Sequence, residues 1–400
     1  MPSSSRTLPF PLLPAALWVP VSWLTIFLVG TDLFIVSAFL PLIGRELHQS
    51  PAAVAVLVSA FSLTYALACP LLGRLAERWG LRNVLFAGVG ALALANAYTA
   101  LAPNLWQLTL SRVLAGLAAA GISPMLYAMA AERAAPAQRA ARLAQINSGL
   151  VIALCLGAPF GLWLGQLTHW RMLFAALGVA LLAMVPVNAV AWSGSLPHQA
   201  PVRQDSSQER LWQAWPLLLC MCAWAVSVYA CYTLLATALV QTFAAPAAQV
   251  ALTLACFGAG ATGGVLAGGR LADRLGAARQ VRLSLALMTA CFGLCLLAYR
   301  QHGLWLLAAA LFTVAFVAYG FFPALQACAA QAFHTRRPTV LGLLSSALYV
   351  GITLGAALGG RLYSAWGMTA VLLLSAAVAA AACLLTRHRL FSADTHQPAA

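Results

Sequence analysis

Apolar residues in this chain come in long continuous runs rather than in one-sided stripes. A stretch of roughly 20 apolar residues is what a helix needs to cross about 30 Å of hydrocarbon. Runs of that length predict twelve spans, at about 17–42, 52–72, 84–102, 105–130, 143–166, 171–192, 215–242, 248–268, 281–299, 304–329, 340–362 and 368–386. They must be helices, because a lone strand in lipid leaves its backbone amides unpaired, and the runs are too continuous for barrel strands. The first run exceeds the apolar core of a secretory signal and lacks a small-residue cleavage site, so it is expected to stay as a helix.

Composition supports lipid as the main solvent. Only 8% of the 400 residues are charged and 62% are hydrophobic, too little polar surface to coat a soluble globule of this size. The net charge of +14 suggests nucleic acid at first sight, but its distribution gives a simpler account. All 22 basic residues are arginine. With the N-terminus inside, alternate loops carry Arg74, Arg78, Arg82, Arg133, Arg139, Arg142, Arg203, Arg210, Arg270, Arg274, Arg279, Arg282, Arg336 and Arg337, and the tails add Arg6, Arg387 and Arg389. The opposite loops hold only Arg45, Arg171, Arg300 and Arg361. This positive-inside asymmetry predicts both termini in the cytoplasm, with no nucleic-acid partner. Contact with anionic lipid is the remaining use of the charge.

The ten cysteines, among them Cys69, Cys155, Cys231 and Cys256, lie in apolar runs without paired metal-ligand spacing and read as small packing residues. The seven histidines sit in loops or at helix ends, which argues against a buried histidine relay. Trp18, Trp106, Trp170, Trp215, Trp305 and Trp366 fall near helix ends, as an aromatic belt requires.

The chain also repeats itself: GRLAERWG at Gly73–Gly80 recurs as GRLADRLG at Gly269–Gly276, about half the chain away. Both copies follow the second helix of a half and are expected in a short cytoplasmic loop. The expected organisation is a tail at 1–16, a six-helix bundle at 17–192, a polar linker at 193–214, a second six-helix bundle at 215–386 and a tail at 387–400. Small residues recur at every fourth position in the fifth span (Gly149, Ala153, Gly157, Gly161, Gly165), the eighth (Gly260, Gly264, Gly268) and the eleventh (Gly351, Gly355, Gly359). Such stripes let helices approach closely in lipid. They serve either static packing or a sliding interface between halves, the latter suggested by Gly157, Pro159 and Gly161 as an interdomain motif.

Of the eight acidic residues only Asp32 lies inside a span, and Arg112 is the basic residue at comparable depth. At 1.5 Å per residue both fall near the same level, somewhat to the outer side of the midplane. A charge in the bilayer costs about 2.5–3.5 kcal/mol on insertion scales, so the two are expected to pair or to share a wet pocket. One reading is a structural salt bridge. The other gives Asp32 reversible protonation, tuned by burial and by a permanently charged Arg112. In the repeated loops, Gly73, Glu77, Arg78, Gly80, Arg82 and Glu132, with Gly269, Asp273, Arg274 and Gly276, are candidates for a cytoplasmic gate, the alternative being a solvated turn. Tyr65, Asn147, Tyr229, Tyr232, Tyr319, Gln326 and Tyr349 are isolated polar groups within spans. They are either interhelical hydrogen-bond partners or the lining of a substrate cavity.

These motifs resemble those of the major facilitator superfamily over essentially the whole chain. Gly73, Leu75, Ala76, Glu77, Arg78 and Gly80 resemble its motif A, with Glu where Asp is usual and Leu81 at a commonly basic position. Leu108, Arg112, Gly116 and Ala120 resemble motif B, associated with proton coupling, and Gly157–Gly161 is similar to the antiporter motif C, with Ala158 for a Gly. Asp32, Leu40 and Pro41, with Trp170 and Arg171, resemble the twelve-helix drug:proton antiporter group, in its sugar-efflux or arabinose-efflux-permease-like branch. The resemblance implies an all-α membrane protein of two pseudo-symmetric six-helix bundles in a bacterial inner membrane. It implies a monomer that exports a small molecule in exchange for protons, with the proton gradient and no cofactor or metal as its energy source. Uptake or facilitated transport is the alternative within the class. An enzyme would need a nucleophile or metal cluster at depth, and a channel would need polar rings; the spans contain neither.

Overall fold

The computed structural model describes residues 17–134, 139–157, 160–161, 163–164, 169–193, 211–333 and 337–387, and the chain is all-α. The predicted tails apart from Arg387, most of the linker, Pro159 and Gly165 lie outside the described residues, as do the side chains of Glu77 and Asp273. Ten described helices are long and apolar enough to cross a membrane. One of these, Val340–Leu385, is 46 residues long and contains the last two predicted spans. It is interrupted at Gly367 (φ 72°), between them. The fifth predicted span lies partly outside the described residues.

In the N-terminal half, α1 is Trp18–Glu46, α2 Pro51–Trp79, α3 Leu81–Leu101, α4 Leu105–Ala120, α5 Ser123–Arg133, α6 Arg139–Ile152 and α7 Trp170–Ala191. The C-terminal half has α8 (Trp215–Phe243), α9 (Ala247–Leu275), α10 (Ala277–Arg300), α11 (Leu304–Ala332) and α12 (Arg337–Leu385). The halves are built alike. In the first, α1 packs on α6, α2 on α4 and α3 on α7; in the second, α8 packs on α12, α9 on α11 and α10 on α12. Local sequence sets the ends: Ser50 caps α2 by accepting from Ala53 N at 3.2 Å, and Asn104 caps α4 by accepting from Gln107 N at 2.9 Å.

The repeated motif is not a loop as its polarity suggested. Gly73–Trp79 forms the last two turns of α2, the matching residues end α9, and only one residue links each helix to the next. Those residues, Gly80 (φ 85°, ψ 143°) and Gly276 (φ 85°, ψ 140°), adopt nearly the same conformation. Hydropathy sees only the part of a helix that lies in hydrocarbon, and nothing breaks this one until a positive φ does.

Of the two uses open to the small-residue stripes, their contacts are those of packing within a half. A Cβ on Gly149 would meet Trp23 O at 2.6 Å, one on Gly157 would meet Thr31 Oγ1 at 2.6 Å, and one on Gly161 would overlap Ile35, all on α1 of the same half. Gly260, Gly264 and Gly268 face Phe312, Phe316 and Gly320, and Gly351, Gly355 and Gly359 face Cys222, Val226 and Ala230, again within one half. Gly157 and Gly161 are therefore not interdomain contacts through their open faces. The stripes hold each half together, because close backbone approach is how helices gain dispersion energy in lipid.

Contact between halves uses glycines just off the stripes. A Cβ on Gly258 would overlap the backbone of Cys155, in a π-helical turn at Ala153–Gly157, and one on Gly360 would lie 2.9 Å from Ala55 Cβ. Ala52 N donates to Ser364 Oγ at 3.1 Å, and Ser59 Oγ donates to Thr353 O at 3.3 Å. These contacts run from mid-depth to the arginine-poor end. About five helical turns farther along the same faces, a Cβ on Gly73 of α2 or Gly342 of α12 would meet nothing within 4 Å among the described residues, and the same holds for Gly269 of α9, about three turns beyond Gly258. The seams between halves are thus closed toward the arginine-poor end and open toward the arginine-rich end.

Gly80→Ala or Gly276→Ala should cost about 1–3 kcal/mol through backbone strain. Gly73→Ala, in open helical space, should be neutral or gain up to about 1 kcal/mol. Unfolding of the purified variants in detergent would read this contrast.

Candidate functional site

Asp32 lies at the middle of α1, and Arg112 lies on the face of α4 that meets it. The guanidinium engages the carboxylate with both forks: Nη1 donates to Oδ1 at 2.8 Å and Nη2 to Oδ2 at 2.9 Å. Such bidentate geometry is the strongest arrangement available to this pair of groups. The pair is sealed, with side-chain exposures of 2% for Arg112 and 0% for Asp32. Of the two expected arrangements the structure shows direct pairing, with both side chains buried.

Close packing brings the helices together. Gly116, one turn beyond Arg112, lets α4 press on the Phe61 backbone of α2. On the other side, Gly157 presses against Thr31, the neighbour of Asp32. Arg112 Nε has no hydrogen-bond partner among the described residues. Its guanidinium instead lies over the Phe61 ring, 4.8 Å from the centroid, where a desolvated cation gains from the ring face.

Phe61 begins an aromatic column. Its ring is 6.3 Å from that of Tyr65 at 26°, and Tyr65 stacks on Tyr349 of the other half at 3.8 Å and 23°. Beside it, the hydroxyls of Tyr229 and Tyr319 lie 3.3 Å apart. Tyr232 meets Phe34 of α1 edge-on at 6.1 Å and Phe257 at 5.0 Å. Its hydroxyl has no partner among the described residues. Trp224 anchors this cluster by donating from Nε1 to Ala318 O at 2.8 Å.

Five of the seven candidate cavity residues, Tyr65, Tyr229, Tyr232, Tyr319 and Tyr349, therefore sit in the buried aromatic cluster. Asn147 adjoins the cluster through Tyr127, whose hydroxyl donates to it at 2.9 Å and which interacts with Tyr65 and Tyr349. Gln326 is exposed and outside the cluster. Sequence reading passed over Phe61 and Trp224. Both had a signal: Phe61 is one turn from Tyr65, and Trp224 lies deep in a span rather than at its end.

At the arginine-rich end, Arg78 lines an open cavity of about 490 Å³ with Leu71, Arg74 and Leu75. Arg82 lies over the Phe86 ring at 5.8 Å, and Glu132 is half-buried on α5. Arg274 is exposed near the end of α9. At the arginine-poor end, Arg171 pairs with Glu46 and donates to Ala102 O at 3.0 Å, while Trp170 Nε1 donates to Glu46. This cluster ties α1, α3 and α7 together. No group of three or more metal-ligating side chains occurs among the described residues.

A duplicated array of membrane-length helices, joined by a seam closed at one end and open at the other, defines a multi-pass membrane transporter. The family profile described as Major Facilitator Superfamily matches residues 22–241 and again 217–399, and the chain belongs to that family. It is 26% identical to the MFS-type transporter YceJ of Bacillus subtilis over 343 residues, 84% of this chain and 87% of that one. It is 28% identical to the inner membrane transport protein YdhP of Escherichia coli K12 over 361 residues, 89% and 92% of the two chains. A chloramphenicol resistance protein of Streptomyces lividans is 29% identical over 254 residues, 62% of this chain and 64% of its own length. Among solved structures, a bacterial homologue of the human lysosomal transporter Spinster, inward-facing and unoccupied, superposes with a TM-score of 0.76 over 96% of this chain and 99% of its own, at 18% identity.

Arg112→Leu leaves a buried carboxylate unpaired and should destabilise the protein by about 3–5 kcal/mol, whereas adding Asp32→Leu should recover most of the loss. A double-mutant cycle on thermal unfolding in detergent would measure the coupling. Additive losses would mean that the pair does not act as a unit.

Proposed function

We propose that the chain is a proton-coupled exporter of a small molecule, working as a monomer in a bacterial inner membrane by alternating access. The observation that carries the reading is the Asp32–Arg112 pair: the sole acid within the predicted spans, at mid-depth, held by an arginine on a neighbouring helix. Proton uptake on one oxygen displaces the charge-assisted bond at that oxygen, which ties protonation to the contact between α1 and α4. A conformational change that loosens the pair binds a proton, and one that restores it releases the proton. That is the linkage a coupled carrier needs.

The seams supply the other half of the cycle. Read with the positive-inside orientation, the open end faces the cytoplasm and the closed end faces outward. Rocking of the halves about mid-depth would part Gly258 from Cys155 and Gly360 from Ala55 while bringing the faces bearing Gly73, Gly269 and Gly342 together. The repeated helix ends, with Glu77, Arg78, Asp273 and Arg274, would then meet as the cytoplasmic gate, and the aromatic cluster would receive the substrate. Export is the direction favoured by the likeness to a chloramphenicol resistance protein and by the antiporter-like residues Gly157–Gly161. A proton moving inward contributes about 2.3 kcal/mol per 100 mV, enough for roughly fifty-fold accumulation.

In vesicles containing the protein, Asp32→Asn should abolish substrate movement driven by a pH gradient while leaving substrate exchange intact. Uphill transport by this variant would remove Asp32 from the coupling step.

A further inference from the structure

We propose that the stacked rings of Tyr65 and Tyr349 form a clamp that opens between the halves and takes a planar, uncharged aromatic ligand in place of the tyrosines' mutual contact. The inference deepens the transporter reading by naming a substrate class for its central seam.

The stack sits where the seam ends. Toward the arginine-poor end, α2 and α12 are hydrogen-bonded through Ser59 and Thr353 and in van der Waals contact through Ala55 and Gly360. Toward the other end, Gly73 and Gly342 face open space. Tyr65 and Tyr349 lie between, one from each half, at 3.8 Å and 23°. Any rocking that parts the two helices at this level uncovers two facing ring surfaces. A planar aromatic molecule entering there replaces one ring-on-ring contact with two, whereas a saturated ring of equal size restores apolar burial without the face-to-face interaction.

The surroundings set charge and polarity. The titratable side chains interacting electrostatically with Tyr65 or Tyr349 are Tyr127, Tyr229 and Cys69. All are neutral at pH 7 by their ordinary ionisation. The nearest ionised groups along the column, Asp32 and Arg112, neutralise each other. Among the described residues, a cation would find no free carboxylate here, and an anion no free guanidinium fork. Hydrogen bonding is available, since the Tyr229 and Tyr319 hydroxyls lie 3.3 Å apart and the buried Tyr232 hydroxyl has no partner among the described residues. The ligand class is therefore a neutral conjugated ring system carrying a hydroxyl, carbonyl or amide. The column from Tyr65 through Phe61 to Arg112 also gives ring displacement at the clamp a physical route to the ion pair.

The test uses the full-length protein purified in detergent and two probes of the same skeleton, 2-naphthol and decahydro-2-naphthol, titrated by calorimetry. Wild type should prefer the aromatic probe by about tenfold. Tyr65→Leu and Tyr349→Leu should reduce that preference to less than about threefold, and Tyr65→Phe and Tyr349→Phe should keep it. Should the leucine variants fail to fold, the wild-type complex still reports, because sandwiched 2-naphthol must show a hypochromic, red-shifted absorption band. Equal affinity for the two probes, an unchanged preference in folded leucine variants or an unperturbed naphthol spectrum overturns the clamp. The titrations need no gradient, so loss of proton-driven export in the vesicle assay would leave their outcome untouched, and the two readings fail separately.

Discussion

A carboxylate and a guanidinium buried in a region without water must satisfy each other, and the N-terminal half is arranged around that requirement. The Asp32–Arg112 contact needs α1 and α4 at one fixed separation and both side chains at one depth. Glycine makes this possible: Gly116 draws α4 onto α2, and Gly157 draws the π-helical turn onto Thr31. The guanidinium that reaches the carboxylate also covers the Phe61 ring. In a low-dielectric interior the attraction is large, but so is the penalty for taking both charges from water. Such a pair is therefore weak evidence for stability.

The same economy of polar groups governs the rest of the molecule. Hydroxyls in the spans turn back on their own helices, as Thr25 does to Val21 O at 2.8 Å and Thr99 to Ala95 O at 2.9 Å. A second ion pair, Glu46 with Arg171, sits at helix ends, where both groups keep some contact with solvent. Rigid halves follow from glycine-mediated backbone contact within each half. The seams between halves are sparser, and they carry the aromatic stack and the few hydrogen bonds that would have to break for the molecule to change state.

Much of this was legible from the residues. The run length of apolar positions gave the membrane-length helices seen among the described residues, since crossing hydrocarbon sets a minimum helix length whatever the tertiary context. The recurrence of GRLAERWG as GRLADRLG gave the duplication, and its two terminal glycines do share one backbone conformation. Asp32 and Arg112 stood out because charge in lipid is costly enough to be rare. The expectations that failed were of another kind. Polarity read the repeated motif as a loop, but solvation of side chains does not end a helix. Periodicity identified the small-residue stripes and left packing or a sliding interface open; of these, only the interdomain role assigned to Gly157 and Gly161 failed.

The sequence by itself therefore determined what the solvent dictates: helix length, the depth of the lone acid and the arginine, the doubled plan and the asymmetric distribution of arginine. Tertiary structure alone decided which faces meet. It paired Asp32 with Arg112 rather than opening both to a cavity, turned the glycine stripes inward to their own halves and set Tyr65 against Tyr349 across the seam. The reason is physical. Burial in lipid acts on each segment separately and can be summed along the chain, whereas contact between helices depends on rotations and separations of a few ångströms that no single segment contains.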